Sequence, residues 1–207
     1  DVLREAQELV NGGVREITLL GQTVNSYTDG EHDFADLLKA LASIPELLRI
    51  RFTSPYPTHF TDKLIQTMAA EEKIARHVHL PLQSASNAIL QRSRRRYTLE
   101  EYDEIVLKLR AAMPSIALST DIIAGFCGET EEDHAKTCDY LRHTRFDFAF
   151  MFRYSRRSRT TAWNWPDDVD GQTKRRRLEE IINIQETISQ EIQKALVGTT
   201  AKILVEG

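Results

Sequence analysis

Five short apolar runs, each parted from the next by a stretch of helical periodicity, constrain the fold of this chain more than any other feature. Residues 1–12 place Val2, Leu3, Ala6, Leu9 and Val10 on one helical face, and Gly12 and Gly13 end the helix. Residues 16–21 (EITLLG) read as a buried strand, and 34–43 as a helix with Asp33 as its N-cap. The pattern predicts a strand over 49–53, stopped by Pro55 and Pro57, and a helix over 61–70 capped by Thr61. A strand over 77–82 and helices over 87–91 and 99–112 follow. The last repeats are a strand over 116–126, a helix over 130–143, a strand over 148–154 and a long helix over 173–196. Glu131, Glu132 and Asp133 suit the positive N-terminus of the 130–143 helix.

Strands that alternate with helices pack as a parallel sheet covered by helices. Five strands are too few to close an eight-stranded barrel, so an open or incomplete barrel is expected. The tail falls outside the repeat: after Gly198, Thr199 and Thr200, the run AKILVEG reads as the first strand of a separate domain.

Ligands of parallel α/β folds collect at the C-terminal ends of the strands. Those ends are polar here: Gln22, Thr23 and Asn25 after the first, Thr53 and Ser54 after the second, Gln83, Ser84 and Ser86 after the third. Arg153, Tyr154 and Ser155 end the fifth. The fourth carries Ser119, Thr120 and Asp121 inside an apolar run and ends at Gly125 and Gly128. A charged Asp121 in such a run needs a partner, either within the fold or in a ligand. Gly125 and Gly128 would let the backbone approach a bound group. His77 and His79 share one strand face, but no third ligand lies near them in sequence, so no metal site is expected.

A net charge of −4 argues against a generic nucleic-acid binder, yet the basic residues are clustered. Arg92, Arg94, Arg95 and Arg96 form one cluster, RYSRRSR (153–159) a second and KRRR (174–177) a third. Local patches of this kind let an acidic protein meet a polyanion on one face. The 174–177 run, followed by Glu179 and Glu180, reads instead as solvated helix surface. Trp163 and Trp165 fit either base stacking or packing against the last helix. No run is long and apolar enough to span a bilayer, and the N-terminus is unlike a secretory signal. Cys127 and Cys138 give neither a disulfide framework nor a metal spacing, which suits a reducing compartment. The chain begins without methionine and reads as part of a longer protein.

Six stretches together resemble one family, the radical S-adenosylmethionine (radical SAM) methylthiotransferases. They are LLGQTVNSY (19–27), RFTSPYPTHFTDKLI (51–65), HVHLPLQSASNAIL (77–90), ALSTDIIAGFCGET (117–130), FDFAFMFRYS (146–155) and ALVGTTAKILVEG (195–207). The first two look like the MiaB-type branch, which modifies N6-isopentenyladenosine beside the tRNA anticodon. The resemblance implies an α/β fold: an incomplete (β/α)6 barrel over 1–198, lacking its first strand and cluster loop, with 199–207 opening a TRAM β-barrel. It implies S-adenosylmethionine as cofactor, two 4Fe–4S clusters, an electron donor, tRNA as substrate and a methylthio group added at C2 of the base. Gln83 and Asp121 match positions that contact the cofactor ribose, and Arg95 matches the one that holds its carboxylate. The chemistry agrees, since an arginine fork suits a carboxylate and adjacent hydroxyls suit Gln and Asp acceptors. Gln22, Asn25, Ser84 and Gly125 are further cofactor-site candidates. Arg92, Arg94, Arg96, Arg156 and Arg157 are candidates for tRNA phosphates.

The family's CxxxCxxC motif and the cysteines of its second cluster are absent from this sequence, and neither Cys127 nor Cys138 matches a ligand position. The chain by itself is therefore expected to hold no cluster and perform no radical chemistry; the activity belongs to the longer protein. Cys127, Ala85, Arg96, Arg156, Ser158 and Arg159 stand where the family commonly has glycine or proline, a costly change wherever φ is positive. The competing reading is a non-catalytic RNA-binding partial barrel. An ordinary α/β-barrel enzyme with a phosphate substrate would need a Gly-rich phosphate loop, which the sequence lacks. A cytoplasmic location is expected, with a mitochondrial parent left open.

Overall fold

A computed structural model describes residues 1–201 and 203–205. The expected alternation is present. β1 (Glu16–Leu19) pairs in parallel with β2 (Arg49–Phe52), and β3 (His77–His79), β4 (Ala117–Ala124) and β5 (Phe148–Arg153) form a second parallel sheet in that order. An isolated parallel bridge pairs Ile50 of β2 with Ile74, in the segment that leads into β3. There the Ile50 N–H donates to Lys73 O at 2.7 Å and the Ala75 N–H to Ile50 O at 2.9 Å. The helices between and around them are α1 (Val2–Asn11), α2 (Phe34–Ala42), α3 (Asp62–Ala70), α4 (Asn87–Arg92), α5 (Leu99–Ala112), α6 (Glu131–Thr144) and α7 (Gly171–Leu196).

Local chemistry sets the helix starts. Asp33 with Asp36, Thr98 with Glu101 and Thr130 with Asp133 each form a reciprocal capping box, and Thr61 accepts from the Leu64 N–H at 3.1 Å. The long helix starts at Gly171, earlier than its periodicity suggests, because Asp170 accepts from the N–H groups of Gln172 and Thr173. The third strand stops at His79 rather than 82: Pro81 has no N–H to give to a ladder. The chain rejoins β4 two residues later, where Gln83 N–H donates to Asp121 O at 2.7 Å.

One face of the sheet packs under the helices. Val78, Leu80, Leu118, Ile122 and Ala149 join Leu38, Leu41, Met68, Tyr102 and Leu141 in a single buried cluster. The other face is half open: Phe148, Phe150 and Phe152, at alternate positions of β5, are 51 %, 50 % and 51 % exposed.

One expectation is corrected. The 174–177 run is not a uniformly solvated face: Lys174 and Arg177 are buried, because Asp167 and the pair Glu129 and Glu131 supply their counter-charges. Trp165 packs on Phe126 and Cys127 beneath the Arg92 guanidinium, and Trp163 lies under Arg156. Residues 199–201 and 203–205 form neither helix nor strand, and positions 202, 206 and 207 of the expected TRAM strand lie outside the described residues.

The α6 cap also ties that helix to the segment after β3. The Ser86 hydroxyl donates to Asp133 Oδ1 at 2.5 Å, and Thr130 donates to Oδ2 from its N–H and its hydroxyl at 3.0 and 2.8 Å. Burial pushes the Asp133 carboxyl up, but these donors outweigh it and leave its pKa below the ordinary 3.8. A depressed folded-state pKa contributes stability above the unfolded pKa, and that stability is lost as pH falls through the folded value. Asp133→Asn is therefore expected to lower unfolding free energy by about 1–2 kcal/mol at pH 7. The gap to the parent should close below pH 3.8 in urea titrations; a gap independent of pH would contradict this role.

Candidate functional site

The C-terminal ends of β3, β4 and β5 surround a cavity of about 480 Å³. Gln83, Arg95, Ile123, Phe126, Tyr154 and Trp165 are among its lining residues. Its aromatic wall is built edge-on: Phe126 meets Tyr154 at 4.8 Å and Trp165 at 6.2 Å between ring centres. The guanidinium of Arg92 covers the Trp165 ring at 4.9 Å. Arg94, Arg95, Arg153 and Arg157 also line the cavity, and none has an ion-pair partner among the described residues. Arg95 is half-buried, so its unmatched charge is the costliest of the four and the one that most calls for an anion.

Gln83 sits at φ +75°, outside the usual range for a side chain with a Cβ, and is held there by two ladder bonds to β4. Its amide Nε2 donates to Asp121 Oδ2 at 3.4 Å, while His79 Nε2 lies 3.4 Å from Asp121 Oδ1. Asp121 thus finds partners inside the fold; Gln83 and Arg95 line the cavity, whereas Asp121 is not among its lining residues and reaches it through Gln83. Arg94 and Arg159 also have positive φ, at 59° and 68°. Of the six positions where the family commonly has glycine or proline, Arg159 alone carries this strain.

The other candidates divide. Gln22 is exposed on the loop after β1. Asn25 is buried and uses both amide atoms on the Tyr56 backbone, accepting its N–H at 2.8 Å and donating to its carbonyl at 2.9 Å. It clasps two loops together. Ser84 is buried against Thr137 of α6, on the helix-covered side. Arg96 is exposed and Arg156 donates to the Trp163 carbonyl. Gly125 has φ +75°, and a Cβ there would run into the Lys174 side chain. That glycine makes room for a lysine of α7. Gly125→Ala is expected to cost more than about 1 kcal/mol in denaturant unfolding, from strain plus the clash; an unchanged midpoint would contradict it.

Burial, then its contact with Cys127, pushes the Tyr154 hydroxyl up to about 12. The aromatic wall itself escaped the sequence reading of polar strand ends; its signal is Phe126 directly after the Gly125 turn.

His134, Cys138 and Glu180 bring one ligand atom each within 4.8 Å of the others, between α6 and α7. His134 Nε2 already pairs with Glu180 Oε2 at 2.9 Å, and its buried Nδ1 has no partner. A metal at Nε2 would strand an N–H at Nδ1, contrary to the usual second-shell pattern. Burial also pushes the Cys138 thiol up to about 11, away from the thiolate a metal needs. This donor set fits a hydrogen-bonded helix contact better than a metal centre.

The model of the radical SAM superfamily matches residues 1–141. A tRNA-2-methylthio-N(6)-dimethylallyladenosine synthase from Chlorobium luteolum is 51 % identical over 99 % of this chain and 47 % of its own length. The enzyme of that name from Carboxydothermus hydrogenoformans is 46 % identical over 100 % of this chain and 48 % of its own. The chain thus spans about half the length of these curated relatives. Among solved structures, coproporphyrinogen III oxidase (HemN) from Escherichia coli covers 91 % of this chain and 44 % of its own at TM-score 0.57 and 17 % identity. Methylornithine synthase covers 88 % of this chain and 52 % of its own at TM-score 0.58 and 13 % identity. Those two likenesses concern the fold alone. A parallel α/β sheet with its cavity at the strand ends, and the family model matched over residues 1–141, give one result: this chain belongs to the radical SAM superfamily.

Proposed function

We propose that this chain is the central part of a tRNA methylthiotransferase that adds a methylthio group to C2 of N6-isopentenyladenosine. The observation that carries this reading is the 46–51 % identity to enzymes named for that product over 99–100 % of the chain. In this reading the five strands belong to an incomplete six-stranded barrel, and 199–207 open a TRAM domain. S-adenosylmethionine lies in the cavity with its carboxylate on Arg95 and its ribose on Gln83 and Asp121. The half-buried, unpaired Arg95 supports that placement, because it supplies the fork a carboxylate fits. Arg94, Arg153 and Arg157, unpaired at the rim, suit tRNA phosphates, and Phe126 and Trp165 offer faces for a base.

When bound, S-adenosylmethionine and a reduced 4Fe–4S cluster supply the radical chemistry. The residues of this chain bind and orient the cofactor and keep water out with the aromatic wall. Cluster ligands lie outside this sequence, as does a second cluster, so the activity is that of a longer protein fed by an electron donor in the cytoplasm.

The test is anaerobic incubation of the full-length, cluster-loaded protein with isopentenylated tRNA, S-adenosylmethionine and a reductant, followed by mass spectrometry of the nucleosides. A modified adenosine heavier by a methylthio group in place of hydrogen is the expected product. Clusters intact and the base unchanged would refute the proposal.

A further inference from the structure

Two histidines of β3 and a serine of β4 form a hydrogen-bonded row on the half-open face of the sheet, and the row ends at Asp121. His77 Nε2 and His79 Nδ1 lie 2.9 and 3.0 Å from Ser119 Oγ. His79 Nε2 lies 3.4 Å from Asp121 Oδ1, and Gln83 Nε2 lies 3.4 Å from Oδ2.

The Ser119 hydroxyl has a single proton, so it can donate to only one of the two rings. His79 turns Nε2 toward the Asp121 carboxylate, whose oxygens accept, and leaves Nδ1 to the Ser119 hydroxyl. Desolvation, the Arg51 charge on β2 and His79 hold the pKa of His77 below its ordinary value, against Asp147, which keeps that ring neutral. Phe150 of β5 meets His79 edge-on at 5.7 Å and fixes the ring plane.

We propose that His79 and Ser119 are positioning residues: they lock the Asp121 carboxylate, with Gln83, in the orientation that receives the cofactor ribose. This rests on the cofactor placement proposed above. The row does not hold up the core, because Leu118, Thr120 and Ile122 fill the opposite face of β4. An aspartate without these donors would turn freely, and a ribose diol would meet it in several geometries.

The experiment titrates S-adenosylmethionine into the full-length, cluster-loaded protein and its variants. His79→Leu is expected to bind about tenfold more weakly, through loss of the polar contact that orients the carboxylate. His79→Gln, whose amide N–H can reach the place of Nε2, should stay within about threefold of the parent. Long-range proton–nitrogen spectra of the 207-residue chain should report a proton on Nε2 of His79, and Ser119→Ala should leave that proton in place, because the carboxylate holds it. Parental affinity in His79→Leu, equal losses in His79→Leu and His79→Gln, or an Nδ1–H tautomer at His79 would overturn the proposal. If the parent itself binds no cofactor, the cofactor placement falls and this role falls with it. A parent that binds, beside indifferent variants, removes the positioning role alone.

Discussion

Arg177→Ala is expected to destabilise the chain by about 3–5 kcal/mol, the usual loss when one partner of a buried ion pair is removed. The side chains of Arg177 and Glu129 are 4 % and 2 % exposed. Arg177 donates to the Glu129 carbonyl at 2.9 Å, to its Oε2 at 2.8 Å and to Glu131 Oε1 at 2.8 Å. Glu129 Oε2 also accepts the Gly125 N–H at 2.8 Å, so this pair fixes the turn below the cavity to α7. Burial already raises the Glu129 pKa, against the Gly125 N–H and Arg177. Without the arginine it rises further. A carboxyl with a raised folded-state pKa contributes less stability as pH climbs from its unfolded value through its folded one. The deficit of Arg177→Ala should therefore grow from pH 5 to pH 8 in denaturant unfolding, and Glu129→Gln in the same background should recover part of it. A deficit below about 1 kcal/mol, or one that shrinks with pH, would contradict this account.

That pair also marks what the sequence could not tell. Lys174 and Arg177 look like one side of a solvated helix because their neighbours Glu179 and Glu180 are acidic. Their actual partners, Asp167, Glu129 and Glu131, come from other segments, and only packing of α7 beside the Gly125 turn brings the last two together with Arg177. Helix starts were legible for the opposite reason. A capping box such as Thr130 with Asp133 is complete within four residues and needs no tertiary context. The early end of β3 was written in Pro81, yet the return of Gln83 to β4 was not, since it depends on the register that sets His79 opposite Ser119.

The site divides along the same line. That Asp121 needs a partner follows from a charge within an apolar strand; that the partners are His79 and Gln83 follows from register. Asn25, Ser84 and Gly125 were placed near the cofactor by their positions after strands. The structure gives each a contact within the fold that position alone did not reveal, with Tyr56, Thr137 and Lys174.

Arg95→Ala in the full-length, cluster-loaded protein is expected to weaken S-adenosylmethionine binding by about thirtyfold or more. Truncating one partner of a close charge pair costs about 2–5 kcal/mol, and 2 kcal/mol is roughly thirtyfold in affinity. Arg95→Lys should recover only part of this, because an ammonium keeps the charge but not the fork. Removing an unpaired half-buried cation relieves a local cost, so Arg95→Ala should leave the unfolding midpoint unchanged or slightly raised. Weak binding with intact stability separates a ligand contact from a structural one. Parental affinity in Arg95→Ala would move the carboxylate to another arginine of the rim.

The central claim is that the cavity at the ends of β3, β4 and β5 receives S-adenosylmethionine on Gln83, Arg95 and Asp121. Calorimetric titration of the cofactor into the full-length, cluster-loaded protein, beside Asp121→Ala, tests it most directly. The account predicts one cofactor bound per chain by the parent and markedly weaker binding by the variant. A protein that carries its clusters and takes up no cofactor, or an Asp121→Ala variant that binds as tightly as the parent, would contradict it.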